Sequence, residues 1–216
     1  MTQSSTSPNA MAFAATARGF LESAGDTTTA LLAVPESFAR ILPRIELALA
    51  GDMEDPLLVA PSLEDDLIHF THGRKLAKDE VAPPPHRARS TREYLEMLER
   101  GQVPKIGDLY SLLCDITHPG ASSVWIWVSQ VSPVEYVLSV DSDPQAIQEI
   151  LNRFGDTLDQ TISFALNPPI LTLAVLNYLP MPEVHTNRLI GWNFDGIRMW
   201  QHCSQHLEGL SPKVLG

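Results

Sequence analysis

Residues 143–166 read DPQAIQEILNRFGDTLDQTISFAL, and the reading of this stretch decides the fold class. Asp143 has a side chain suited to an N-cap, and Pro144 suits the first helical position, where its missing N–H would have no intrahelical partner. Ile147, Ile150, Leu151, Phe154, Leu158, Thr161, Ile162 and Ala165 then fall on one face at helical spacing. At about 1.5 Å per residue this helix is about 33 Å long. Asn167-Pro168 is expected to end it, because proline disfavours helical geometry in the residue before it, and to cap a further helix running to Tyr178.

The neighbouring segments repeat the pattern. Ser62 ahead of Leu63-Glu64-Asp65 reads as an N-cap with acids in the first turn, opening a helix to about Glu80. Ser90-Thr-Arg-Glu93 has capping-box form, and Gly101 closes that short helix. Leu109, Tyr110, Leu113 and Thr117 share a helical face from Ile106, with a stop expected at His118 before Pro119. Residues 124–140 differ: Val-Trp-Ile-Trp-Val and Val-Glu-Tyr-Val-Leu-Ser-Val are β-branched and aromatic, with Ser132-Pro133 between them. A short hairpin fits this run, as does a buried helix broken by proline. The expected fold is mainly α, a helical bundle with a short β-hairpin near 124–140. It comprises a disordered arm over residues 1–9, then a single helical domain over 10–216 with a proline-rich loop at 82–89.

Composition bounds the function. The 216 residues are 44% hydrophobic, which supports a real core, and a formal charge of -11 opposes a surface devoted to polyanions. Cys114 and Cys203 form no C-x-x-C, so a cytoplasmic protein with reduced thiols is expected. The uncharged runs 116–134 and 160–182 are interrupted by prolines and polar residues, so no membrane association is expected. The charge is uneven. Residues 74–106 hold 8 bases and 5 acids, leaving room for one anion-binding strip formed by Arg87, Arg89 and Arg92 beside Pro83-Pro84-Pro85.

Two sets of side chains have metal-ligand spacing. Asp65, His69 and His72 fall within about 60° of one another on a helix, and His202 and His206 stand at i, i+4. Together they would supply a divalent metal such as zinc in a metal-dependent hydrolase. The first trio reads equally as a solvated face opposite Leu63, Leu67, Phe70 and Ala77, and the second pair as the solvated side of a stripe of Trp200, Cys203 and Leu207. No H-E-x-x-H, G-x-S-x-G or phosphate-cradling glycine motif is present.

The most distinctive segment is Tyr110-Ser-Leu-Leu113-Cys-Asp115-Ile-Thr-His118-Pro119, with Pro119 setting the helix end and the direction of the imidazole. Its pattern Y-x-x-L-x-x-x-x-H-P resembles uncharacterised bacterial families of the HEPN-like all-α superfamily. That resemblance implies a helical bundle, often dimeric, and a ribonuclease or nucleotide binder in bacterial defence or stress. The R-x4–6-H pattern of the ribonuclease members is missing: three residues separate Arg198 from His202, and seven separate it from His206. A binding or regulatory role associated with nucleotide or RNA therefore leads, with no cofactor, centred on Tyr110, Asp115 and His118 and helped by Arg87, Arg89 and Arg92. The alternatives are the metal-dependent hydrolase and a homodimeric interaction module without catalysis, built on the long helix.

Overall fold

The computed structural model describes residues 8–53, 60–118, 120, 123–124, 127–139 and 142–213. The helices are α1 (Ala10–Leu31), α2 (Val34–Ala50), α3 (Pro61–His72), α4 (Thr91–Arg100), α5 (Ile106–Thr117), α6 (Ser142–Leu176) and α7 (Arg198–His206). Strands β1 (Val128–Ser132) and β2 (Glu135–Leu138) form a two-stranded antiparallel sheet between α5 and α6. The fold is mainly α with one short hairpin, as expected. Residues 125, 126 and 140 of the hairpin segment, residues 1–7 of the arm, and Pro119 lie outside the described residues. Among the described residues, no helix is long and apolar enough to cross a membrane.

The chain divides into two compact units: Met1–Gly25 with Thr91–Ile162, and Asp26–Ser90 with Ser163–Gly216. The first unit takes its interior from strongly periodic faces. In α1, Ala10, Ala14, Ala17, Leu21 and Ala24 are buried, one per turn, behind an N-cap in which the Asn9 side chain accepts from the Ala12 N–H at 2.8 Å. Ile106, Leu109, Leu113 and Ile116 form the buried face of α5. The hairpin pairs Val128 with Leu138 and Gln130 with Tyr136, with a register shift before Ser132 opposite Glu135.

In the second unit, α2 ends where Gly51 adopts φ 79°, a left-handed conformation that a side chain would strain. The Gly51 and Asp52 N–H groups bond the Ala48 and Leu47 carbonyls at 3.2 and 3.0 Å, which satisfies two end carbonyls. Ala39 and Leu42 of α2 pack with Val175 and Leu179, and with Cys203 and Leu207 of α7. The Asn177 side chain clamps the next loop, accepting from the Thr186 N–H at 2.9 Å and donating to the Thr186 carbonyl at 3.1 Å.

Three sequence expectations are corrected. First, α6 is one helix from Ser142 to Leu176, with Pro168 and Pro169 inside it, where two helices were expected. The prolines leave two carbonyls without their usual donors, at a cost of about 3 kcal/mol for a helix interior, but Leu171, Ala174 and Val175 are buried just beyond. Burying that apolar turn carries the helix through.

Second, α3 begins at Pro61 behind Ala60, with no side-chain cap from Ser62, and stops at His72. Gly73 leaves the helix at ψ 122°, and the Arg74 N–H then donates to the His86 carbonyl at 2.9 Å. The Ala88 N–H donates to the Arg74 carbonyl at 3.0 Å, so the chain after Gly73 pairs with the proline-rich loop instead of coiling further. That loop turns once as a 3-10 helix at Pro84–His86.

Third, the face of α3 that packs inward includes His69, while Leu67 and Phe70 are exposed. Only Leu63 of the four expected apolar residues is buried.

Candidate functional site

Arg18 and Glu22 are the only charged residues between Ala10 and Gly25, and their i, i+4 spacing puts them on one side of α1. Arg18 Nε lies 3.3 Å from Glu22 Oε1. The Tyr110 hydroxyl, from α5, donates to the same Glu22 oxygen at 2.5 Å. The Arg18 guanidinium also reaches Thr117 Oγ1 at 3.4 Å and stands 5.8 Å from the centre of the Tyr110 ring. One carboxylate thus accepts from a phenol and a guanidinium, and Tyr110 is held at a fixed angle to α1.

This setting pushes the Tyr110 phenol up to about 12, first by burial and then by the hydrogen bond to Glu22, which favours the protonated form. The folded value lies above the ordinary value of 10.0, so the unfolded chain loses its proton first as pH rises. The stability associated with this group is therefore fully present below pH 10 and is lost as pH approaches 12. In a Glu22→Gln variant, Tyr110 is expected to ionise at lower pH. Carbon-13 NMR of labelled tyrosine, with the signal assigned by Tyr110→Phe, reads this directly. Ionisation of Tyr110 at an ordinary tyrosine pH in the native protein would contradict the arrangement.

Beside Tyr110 an open cleft of about 450 Å3 lies on α4 and α5, lined by Thr91, Arg92, Leu95, Glu96, Glu99 and Tyr110. Arg92 Nε sits 2.8 Å from Glu96 Oε1, and Arg100 approaches the other Glu96 oxygen at 3.7 Å. Glu99 Oε1 would lie 3.3 Å from a Cβ at Gly107, so the start of α5 leaves room for that carboxylate. The cleft offers one guanidinium, two carboxylates and the apolar surfaces of Leu95 and Tyr110.

The structure separates the proposed binding residues. Tyr110 and Arg92 share the cleft, whereas Asp115 and His118 are exposed on α5 and just past its end, and do not line it. The His118 N–H donates to the Cys114 carbonyl at 2.9 Å, and its backbone is extended, so the residue closes the helix as the sequence implies. Arg87 and Arg89 belong to the second unit. There Arg89 acts on Asp66, whose carboxyl burial pushes up and Arg89 pulls down.

Among the described residues, which include Asp65, His69, His72, His202 and His206, no three His, Cys, Asp or Glu side chains are grouped to hold a metal ion. The centre considered from spacing is therefore not assembled. His69 is turned inward: its Nδ1 donates to the Pro85 carbonyl at 2.9 Å, and its Nε2 lies 3.5 Å from Asp26 Oδ1, within ion-pair reach but beyond a hydrogen bond. His72 stacks on His86 at 5.6 Å. His202 and His206 are exposed on α7 while Cys203 and Leu207 are buried, as read from the sequence.

The sequence alone did not single out Arg18 and Glu22 as partners of Tyr110, nor Glu96 and Glu99 as neighbours of Arg92. The isolated charge pair in the otherwise uncharged stretch from Ala10 to Gly25 was the available signal. Comparison with protein-family models, curated proteins and solved structures finds no match for this chain.

Proposed function

We propose that this chain is a HEPN-like binding module that takes one nucleoside or nucleoside monophosphate into the α4–α5 cleft, as a regulatory component of bacterial defence or stress. The observation that carries this reading is the convergence of Tyr110 and Arg92, from two helices, on a single cleft of about 450 Å3. Ligand pockets commonly span about 300–1,000 Å3. Leu95 and the Tyr110 ring supply apolar surface for a base. Glu96 and Glu99 accept from exocyclic amines or ribose hydroxyls, and Arg92 donates to a base edge or a single phosphate. With two acids against one base, the cleft disfavours polyphosphates and an RNA backbone.

Calorimetric titration with the four common ribonucleosides and their 5′-monophosphates tests the reading. At least one is expected to bind saturably. Losing a hydrogen bond to a charged group costs about 1.5–3 kcal/mol, so Arg92→Ala or Glu99→Gln should weaken that binding about 10- to 100-fold. His118→Ala, outside the cleft, should leave it unchanged. Absence of saturable binding at millimolar ligand, or equal binding by Arg92→Ala, would overturn the proposal.

A further inference from the structure

The polar groups of the α4–α5 cleft are unevenly committed. Arg92, Leu95, Glu96 and Glu99 succeed one another along one side of α4 at i, i+3, i+4 and i+7. Arginines engage both oxygens of Glu96, Arg92 Nε at 2.8 Å from Oε1 and Arg100 at 3.7 Å from Oε2. The bond from Arg92 uses its Nε–H alone. Its two terminal nitrogens, which carry the remaining N–H donors, have no partner among the described residues. The Glu99 carboxylate also has no hydrogen-bond or ion-pair partner among the described residues, and Gly107 leaves it room beside α5.

The cleft therefore holds one unengaged donor group and one unengaged acceptor group. They lie two turns apart on α4, about 10.5 Å along the helix, with Leu95 between them. The Tyr110 ring borders the same space, and its bond to Glu22 fixes it there. A ligand that satisfies both groups must accept at one end and donate at the other. A simple anion meets like charge at Glu99, and a simple ammonium meets like charge at Arg92.

Of the four common bases, guanine alone presents two adjacent N–H donors, N1–H and N2–H2, which one carboxylate accepts side by side. Its O6 and N7 accept as a pair from a guanidinium. Adenine and cytosine each place a ring-nitrogen lone pair beside the exocyclic amine. A carboxylate that accepts from that amine sets its second oxygen against the lone pair, which is repulsive. Uracil has a single N–H between two carbonyls.

We infer, resting on the nucleoside reading of this cleft, that it selects guanine, with Glu99 as the residue that chooses the base. Glu99 accepts from N1–H and N2–H2, the terminal nitrogens of Arg92 donate to O6 and N7, and Leu95 and the Tyr110 ring pack on the base. Glu96 is a positioning residue that holds Arg92 by its Nε–H.

The test is a calorimetric titration of the native chain with the 5′-monophosphates of guanosine, inosine, adenosine, cytidine and uridine. The guanine nucleotide is expected to bind most tightly. Inosine lacks the N2 amine and should bind about 10- to 100-fold more weakly, the loss of one hydrogen bond to a charged group. Glu99→Gln replaces one carboxylate oxygen with an amide donor, a pattern that matches N6–H2 and N1 of adenine. This variant should lose about 10- to 100-fold for the guanine nucleotide and bind the adenine nucleotide at least as well, with its helical circular dichroism unchanged. An adenine, cytosine or uracil nucleotide that binds the native chain as tightly as the guanine nucleotide would overturn the selectivity and leave the nucleoside reading standing. Binding of none of the five would remove both. Equal affinity for the guanine and inosine nucleotides, or uniform weakening of all five by Glu99→Gln, would overturn the role of Glu99.

Discussion

Gly25→Ala is expected to destabilise the protein by about 2–4 kcal/mol, although alanine is normally better than glycine inside a helix by about 1 kcal/mol. Gly25 lies within α1, where a Cβ would come 2.6 Å from the Cβ of Tyr94, 3.0 Å from its carbonyl oxygen and 3.1 Å from its carbonyl carbon. Two of these atoms are α4 backbone and cannot turn aside as a side chain would, so α1 and α4 must move apart. Tyr94 and Leu98 are buried on the same helix, and that shift would loosen their packing. Gly19, six residues earlier in α1, is the control: a Cβ there meets nothing within 4 Å, so Gly19→Ala should stabilise by about 0.5–1 kcal/mol. Denaturant midpoints of the two variants should move in opposite directions. A gain in stability for both would contradict the close approach of α1 to α4.

Phe154→Ala is expected to cost about 3–5 kcal/mol, the larger of the two effects. Phe154 is 1% exposed and is the largest fully buried side chain among the described residues, with the Arg153 guanidinium 4.8 Å from its ring centre. Truncation removes the ring's burial, leaves a void that close-packed neighbours fill only in part, and removes the cation–π contact. Leu151→Ala, three residues away and 39% exposed, should cost under about 1 kcal/mol. Both residues belong to one apolar stripe by periodicity, so equal losses in the two variants would place the buried face of α6 elsewhere.

Residue patterns carried most of the fold. Capping chemistry located α4 between Ser90 and Gly101, and the face of Leu109 and Leu113 located α5. Valine and aromatic enrichment marked the hairpin, although it left a helix open until the Val128–Leu138 pairing was seen. Failures came where non-local packing outweighed a local rule. Pro168 and Pro169 oppose helix on every local ground, yet α6 continues because the turn beyond them is buried. Periodicity defined the apolar arc of α6 but could not divide it into the part the chain covers and the part left exposed.

The cleft was half legible for a related reason. Tyr110 and Arg92 stood out as an aromatic residue near a helix end and a base beside a proline-rich loop. Their convergence depends on the packing of α4 on α5, and the anchor of Tyr110 on Glu22 spans 88 residues of sequence. No short-range spacing encodes that contact. His69 shows the converse: its spacing to Asp65 and His72 suits a ligand set, but its ring is buried and bonded to Pro85.

The most direct test of the account is a titration of the isotopically labelled native protein with nucleosides and nucleoside monophosphates, followed through its backbone amide resonances. Saturable shifts are expected, concentrated in α4 and the first turns of α5, around Arg92, Glu99 and Tyr110. Spectra unchanged at millimolar ligand, or shifts centred on His69 and the proline-rich loop instead, would contradict it.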